Sequence, residues 1–385
     1  MNKKEISEIK KLLTPEHAVI TRICGCYVDG EKEIKFTSKD AFHSLSEEEA
    51  FKYFDIFRHT LSGTLGKNLM NMEFPLAEEA EGGRQEFLLK LRDSKLEDDS
   101  LLEEFYQNVI AHYVYASNYY IILIHAVYDV PGKSSDGSEM FDASDSVYDY
   151  IICSICPVNL SKSGLSYDAD TNSINERVRD WIVGAPANGF LFPAFNDRDT
   201  DIHSLLYFSK NPEELQTEFI ENVFGAVAPM SAGNQKETFN TIISNTLGEE
   251  CDFNTIKTIH ETLNEMIEES KDEPEPLILT KQEVKHIFEE SSVPDEKINM
   301  LEKQLTETVG EKPAFVASNI TNVRKFNIET PDVVIKVNPE RTDLIETRII
   351  DGRQCLVIAV NDHIEVNGIS VKAGVNMNSS VEENE

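Results

Sequence analysis

The stretch VITRICGCYV at residues 19–28 runs into the pair Asp29-Gly30 and then into EIKFT at residues 33–37. Both runs are rich in β-branched or aromatic residues, which favour strands. Glycine accepts the positive φ that a tight hairpin turn requires. The sequence therefore predicts an antiparallel β-hairpin near the beginning of the chain.

Further apolar runs predict that this hairpin belongs to a larger sheet. The run YYIILIHAVY at residues 119–128 is continuous enough to be a strand buried on both faces. We expect further strands or hairpins at residues 147–158, 165–175, 189–195 and 202–208. Because short turns join most of them, the sheet is predicted to be mainly antiparallel, with helices at its edge or face. Residues 1–210 are thus expected to form an α+β domain.

Helices are predicted to dominate the middle of the chain. The residues NPEE at 211–214 are of the types that cap and begin a helix, so we expect a helix at residues 212–224 that ends at Gly225. The helical region is predicted to span residues 211–310. Its charged, proline-containing segment at residues 271–276 is expected to be a flexible linker.

The pattern returns to β structure after the helical region. Short apolar runs separated by Asp-Gly and Asn-Asp pairs predict a β-meander at residues 311–373. The polar residues 374–385 are expected to form a disordered tail. The exposed strand edges of such a meander would allow self-association into a homo-oligomer.

The charge of the chain limits the classes of partner. The 385 residues carry 69 Asp and Glu against 36 Lys and Arg, a formal net charge of −33. Such a surface repels phosphate backbones and anionic lipid unless basic residues cluster. The densest basic group is Lys3-Lys4 with Lys10-Lys11, so we expect protein partners rather than direct DNA binding.

The sequence also predicts the compartment. No run of about 18 apolar residues is present, and the N-terminus lacks the apolar core of a signal peptide. We therefore expect a cytoplasmic protein that does not enter a membrane. Six cysteines are too few for a disulfide framework, and the C-x-x-C of Cys153 and Cys156 lies in a strand pattern that places the two thiols on opposite faces. Buried, unreactive thiols are predicted.

One acidic constellation could hold a metal ion. Asp197, Asp199 and Asp201 are spaced by two, so an extended backbone would place them on one face, with His203 nearby. Carboxylate oxygens suit Mg²⁺ or Mn²⁺, and these are the only cofactors that the sequence indicates. The alternative interpretation is an exposed acidic turn before a strand. Phosphate-loop, dinucleotide-binding and nucleophile-elbow motifs are all missing.

Several stretches resemble a bacterial family known as domain of unknown function 4317. They are IKKLLTP at residues 9–15, RICGCYV at 22–28, GFLFPAF at 189–195 and DIHS at 201–204. The resemblance spans nearly the full chain. It implies no activity.

A more distant likeness is to the nucleoid-associated protein family NdpA. The run LLYFSK at residues 205–210, followed by FIENVFG at residues 219–225, is similar to a strand end that leads into a helix in that family. An apolar strand at residues 119–128, a helical middle and a C-terminal meander occupy corresponding places. The chain departs from the family in a long insert between residues 129 and 200, so no functional residue is carried over.

Two functional hypotheses follow. The first is a non-enzymatic, nucleoid-associated-like protein that acts through protein partners such as DNA-handling enzymes; the resemblance implies a place at the nucleoid. The alternative is a metal-dependent hydrolase of nucleic acid or nucleotides that uses Asp197, Asp199, Asp201 and His203.

Overall fold

A computed structural model of the chain describes residues 1–133, 139–248, 251–310, 315–360 and 364–371. The chain divides into two compact units. The first consists of Met1–Thr238 with Asp272–Ile278, and the second of Phe239–Lys271 with the described residues from Leu279 onward. Among the described residues, no helix is long and apolar enough to cross a membrane.

The first unit contains a sheet with helices. Its helices are α1 (Lys3–Leu12), α2 (Glu47–Thr60), α3 (Arg84–Asp93), α4 (Asp99–His112), α5 (Thr217–Phe219) and a π-helical turn at Ile220–Phe224. Its strands are β1 (Val19–Val28), β2 (Ile34–Ala41), β3 (Leu69–Glu73), β4 (Tyr119–Lys133), β5 (Glu139–Leu160), β6 (Leu165–Asp168), β7 (Ser173–Glu176), β8 (Trp181–Val183), β9 (Asn188–Phe192), β10 (Ala194–Asn196), β11 (Asp199–Asp201) and β12 (Ser204–Ser209).

The predicted antiparallel sheet is confirmed. In the described residues its strand order is β2-β1-β4-β5-β9-β12-β3, with β8 paired to the end of β5. The hairpin of β1 and β2 pairs Cys26 with Thr37, and the carboxylate of Asp29 accepts hydrogen bonds from the turn amides of Glu31 and Glu33. Gly25 leaves room for Tyr120 at the centre of β1, because a Cβ at residue 25 would lie 1.9 Å from the Tyr120 hydroxyl oxygen and would force the ring to move.

The central strands are buried on both faces, as the continuous apolar runs predicted. Ile121 and Leu123 of β4 enter a core covered by α3, α4 and the π-helical turn. Ile122 and Ile124 enter the opposite core, which α1 and α2 cover. The arrangement is therefore a helix–sheet–helix sandwich, and the predicted α+β class is confirmed.

The helix predicted at residues 212–224 begins later than expected. Residues 212–214 form a turn and a bend, residues 215 and 216 are irregular, and the helical residues begin at Thr217. The Gln216 side chain donates to the Val114 carbonyl at 3.0 Å and accepts from the Val114 amide at 3.2 Å, which holds the segment against the end of α4. These tertiary contacts outweigh the helix-start signal. Gly225 ends the helix with φ +67°, as predicted.

The division between units differs from the predicted boundary at residue 210. Residues 211–238 belong with the sheet, because Phe219 and Phe224 pack in its core. The segment predicted as a flexible linker also belongs with the first unit: the Lys3 amide donates to the Pro274 carbonyl at 3.1 Å.

The remaining elements are mostly those of the second unit. The helices are α6 (Ala232–Leu247), which crosses the division, α7 (Phe253–Glu269), α8 (Lys281–Glu290), α9 (Asp295–Val309) and α10 (Ala317–Ile320). The strands are β13 (Ile278–Leu279), which crosses the second division, β14 (Phe315–Val316), β15 (Phe326–Glu329), β16 (Val334–Val337), β17 (Ile345–Ile350), β18 (Arg353–Ile358), β19 (Ile364–Val366) and β20 (Ile369–Val371).

The C-terminal β region consists of separate pairs. In the part of this region that the structure describes, strands β15 and β16, β17 and β18, and β19 and β20 form three antiparallel hairpins. The tail predicted at residues 374–385 lies outside the described residues.

Candidate functional site

A two-stranded arm at residues 157–184 continues β5 beyond the sheet. At its base, Val158 pairs with Val183, and near its tip Asp168 pairs with Ser173. The two ladders therefore keep one register over eleven residues of each strand, residues 158–168 and 173–183. Between the two ladders, the Ser161 amide donates to the Asp180 carbonyl at 2.8 Å. At about 3.3 Å per residue, the arm is roughly 35 Å long.

The tip of the arm is a turn that the Asp168 side chain stabilises. The Asp168 carboxylate accepts hydrogen bonds from the amides of Asp170 (3.0 Å) and Thr171 (3.3 Å). A hydrogen bond from the Thr171 hydroxyl has the largest effect on the pKa of Asp168, and together with the two amide hydrogen bonds it lowers that pKa below its ordinary value. The predicted hairpin at residues 165–175 is confirmed.

One face of the arm exposes apolar side chains. Tyr167 is paired directly with Ile174, and Leu165 lies two residues from Tyr167 on the same face. Their exposed fractions are 62%, 61% and 77%. At the base of the arm, Trp181, the only tryptophan of the chain, is 54% exposed; it pairs with Leu160 and therefore lies on the opposite face. An exposed apolar cluster such as that of Leu165, Tyr167 and Ile174 is typical of an interaction site.

The arm is also much less acidic than the rest of the chain. Residues 161–184 carry three basic and four acidic side chains, whereas the whole chain has a net charge of −33. The basic residues are Lys162, Arg177 and Arg179. Because the arm is nearly neutral, its own charges cause little electrostatic repulsion when it approaches another protein surface.

The predicted metal-binding residues lie in and after a tight turn. Asp197 and Arg198 have φ of +53° and +59° and join β10 to β11. The turn therefore removes Asp197 from the extended run that would place three carboxylates on one face. Its amide donates to the Glu5 carboxylate at 2.7 Å, and Asp199 is exposed.

The other two predicted ligands have protein partners. One carboxylate oxygen of Asp201 accepts hydrogen bonds from Asn196 (2.6 Å) and Ser204 (2.5 Å). Partial burial raises the pKa of Asp201, but these hydrogen bonds outweigh that effect and the pKa is lowered. His203 contacts Glu79 at 2.9 Å, and this hydrogen bond raises the pKa of the imidazole.

Across the described ranges, no three His, Cys, Asp or Glu side chains are grouped so that they could hold a metal ion. The hypothesis of Mg²⁺ or Mn²⁺ binding by Asp197, Asp199, Asp201 and His203 stays a prediction, without support from this arrangement.

The buried cysteines are core residues, as predicted. Cys153 lies in the core under α3 and α4, and Cys156 lies in the opposite core. Burial raises the pKa of Cys24, Cys26 and Cys156 to about 12 and that of Cys153 further above its ordinary value. Such thiols are protonated at neutral pH and are poor nucleophiles.

A hydroxyl, an imidazole and a carboxylate meet on three neighbouring strands. The Thr21 Oγ1 lies 2.7 Å from Nδ1 of His125, and Nε2 of His125 lies 2.5 Å from Oδ1 of Asp149, without the alignment of a hydrogen bond. The set has the residue types of an acyl-transfer site. His125, however, has no exposed surface. Because a buried ring cannot exchange a proton with a bound substrate, we interpret this cluster as structural.

The ends of β9 and β12 border a cavity of about 720 Å³ that the sequence did not reveal. Asn188 forms its floor: its amide oxygen accepts from the Tyr113 hydroxyl at 2.9 Å, and its amide nitrogen donates to the Tyr207 hydroxyl at 2.8 Å. Lys210 and Glu214 lie at the exposed rim. The cavity can hold a polar molecule, but its floor offers satisfied amide and hydroxyl groups rather than a reactive pair.

Sequence reasoning found the outer hairpin of the arm but missed its length and its exposure. The apolar triplet Trp181-Ile182-Val183 could have indicated a strand in the inner part of the arm, and these three residues pair with residues 158–160 at the end of β5.

A family model matches most of the chain. The family model described as "Domain of unknown function (DUF4317)" covers residues 1–369. No curated protein and no solved structure matches the chain significantly.

Proposed function

The chain belongs to the DUF4317 family of proteins with a domain of unknown function, and we propose that it is a non-enzymatic protein that acts through protein partners. The observation that carries this proposal is the exposed apolar face of the arm, formed by Leu165, Tyr167 and Ile174.

An isolated two-stranded hairpin is marginally stable in water, because neither of its faces is covered. In the outer part of the arm, the large apolar side chains of Leu165, Tyr167 and Ile174 share one face and are exposed. Covering Tyr167 and its two neighbours would stabilise the arm and contribute to binding. Tyrosine is common among the residues that dominate protein interfaces.

The charge of the protein indicates the chemistry of the partner. A body with a net charge of −33 attracts basic surfaces and accelerates their encounter, while the apolar arm supplies short-range contact. We therefore propose a partner with an apolar patch surrounded by Lys and Arg. Two copies of this chain repel each other over the same distances, which disfavours pairing of the arms as the main interaction.

DNA-handling enzymes have basic surfaces of this kind. The likeness of residues 205–225 to the nucleoid-associated family makes them the partner class to test first, with the cytoplasmic nucleoid as the place of action. The protein would then reach DNA through the enzyme rather than by touching the duplex itself.

Site-specific crosslinking tests the proposal. The photo-crosslinking residue benzoylphenylalanine is placed at Tyr167 in the native host, and a control carries it at Leu76, which is 85% exposed and lies outside the arm. We expect irradiation to link a protein of basic surface at Tyr167 but not at Leu76.

The linked protein is then purified and its affinity is measured with two variants of this chain. Leu165→Ser/Tyr167→Ser/Ile174→Ser should weaken binding at least tenfold, whereas Leu76→Ser/Val227→Ser, which also removes exposed apolar groups, should not. Equal affinities for the two variants would contradict the proposal. A link only to a second copy of the chain would assign the arm to self-association instead.

A further inference from the structure

Helix α1 separates its charges between two faces. Lys3, Ser7 and Lys10 are spaced by four and three, so they share one face of the helix. Glu5 and Glu8 lie on the other side, where they are occupied by the turn between β10 and β11: Glu5 accepts from the Asp197 amide and Glu8 pairs with Arg198 at 3.0 Å. The face with Lys3, Ser7 and Lys10, called the lysine face below, therefore has no carboxylate of its own helix to neutralise the two ammonium charges.

The lysine face borders a cavity of about 350 Å³. The far wall is the segment after α2, which contributes the hydroxyls of Ser62 and Thr64. Ser7 supplies a third hydroxyl, and the rest of the lining is apolar apart from Gly63. No acidic side chain lines the cavity in the described structure, although acids outnumber bases almost two to one in the chain.

Both ammonium groups have donors to spare. Lys10 Nζ donates to the Ser62 hydroxyl at 2.5 Å, and Lys3 Nζ donates to the Glu273 carbonyl at 3.0 Å. Neither forms an ion pair with a described residue, in contrast to Lys35 and Lys39, which pair with carboxylates. Because an ammonium has three N–H donors, each lysine can still donate to a ligand.

We propose that this cavity binds a small oxyanion: inorganic phosphate or the phosphoryl group of a small phosphomonoester. Two cations provide charge, and the hydroxyls of Ser7 and Thr64 can donate to the remaining oxygens, whereas the Ser62 hydroxyl already donates to the Arg58 carbonyl. The volume admits a phosphoryl group with a small attached moiety, but the two-lysine site is too limited to overcome the repulsion between this chain and a long polyanion. This site is independent of the arm and of its partner.

The test uses inorganic phosphate, glycerol phosphate and, as a control for ionic strength, chloride. Binding is measured by calorimetry and by the rise in the thermal midpoint of the full chain. The first variant is Lys3→Gln/Lys10→Gln. The matched control is Lys4→Gln/Lys11→Gln, which removes the same charge from the same helix but from residues outside the cavity lining.

We expect phosphate to bind the wild type and the control with equal affinity, and the Lys3→Gln/Lys10→Gln variant at least tenfold more weakly. Tighter binding of glycerol phosphate would identify a phosphomonoester as the ligand class, and equal binding would identify free phosphate. Equal phosphate affinity in both variants, or no binding by a wild type whose helix content is intact, would overturn the proposal.

Discussion

Replacing Asn188 by alanine tests the buried polar network at the end of the sheet. Asn188 is 5% exposed, and its amide group makes hydrogen bonds to Tyr113 (2.9 Å), Tyr207 (2.8 Å) and Ser209 (3.4 Å). The two tyrosines are almost completely buried. Removing the amide therefore leaves two hydroxyls inside the protein without the partner on which they depend.

The structure gives the size of the effect. A lost hydrogen bond costs about 1 kcal/mol, and a buried hydroxyl left without a partner adds about 1–3 kcal/mol. Water entering from the adjacent cavity can satisfy one of the two hydroxyls, since Tyr113 and Asn188 both line it. We therefore expect the free energy of unfolding to fall by about 2–4 kcal/mol, which shifts the urea midpoint by about 1 M.

The assay is urea denaturation followed by circular dichroism. The control is Asn175→Ala, because Asn175 is exposed and its side chain donates to the hydroxyl of the neighbouring Ser173. Tyr113→Phe in the Asn188→Ala background should recover part of the loss, with a coupling of about 1 kcal/mol, because it removes one orphaned hydroxyl. A change below about 0.5 kcal/mol for Asn188→Ala, or strict additivity with Tyr113→Phe, would refute the reasoning.

Three further predictions follow from the cited pKa shifts and contacts. A thiol reagent at pH 8 should label Cys251 and Cys355 in the folded chain and the four buried cysteines only in urea; rapid labelling of all six would contradict the assigned burial. Glu79→Gln should lower the pKa of His203 in an NMR titration, because the hydrogen bond with Glu79 raises that pKa. The protonated imidazole contributes fully to folding stability below the ordinary histidine pKa, and this contribution is lost as the pH rises through the pKa of His203 in the folded protein. Calorimetry with Mn²⁺ should show no stoichiometric binding and no difference for Asp199→Ala, whereas binding that this variant abolishes would restore the metal hypothesis.

The parts of the fold that local chemistry determines could be predicted from the sequence. The Asp29-Gly30 pair predicted the hairpin of β1 and β2, although the positive φ of the turn falls on Lys32 (+63°) rather than on Gly30, and the apolar run at residues 119–128 predicted a strand buried on both faces. In each case the residues that decide the conformation are adjacent in the chain.

Features that depend on distant contacts could not be predicted. Residues 212–216 have a helix-start signal, yet the contact of Gln216 with Val114 keeps them out of the helix. The length of the arm depends on the pairing of residues 157–160 with residues 181–184, and no pattern of neighbouring residues specifies that pairing. The spacing of Asp197, Asp199 and Asp201 predicts one extended face, but the positive φ of Asp197 places that residue in a turn.

A tryptophan placed on the apolar face of the arm tests the central claim most directly. The native Trp181 pairs with Leu160 and lies on the other face, so the probe is the variant Trp181→Phe/Tyr167→Trp. With the crosslinked partner in its purified form, the account predicts a saturable blue shift of the emission and reduced quenching by acrylamide. Both changes should be lost when Leu165→Ser/Ile174→Ser is added. A partner that binds with full affinity while the tryptophan at residue 167 stays as accessible as in the free protein would contradict the claim that the arm is the contact surface.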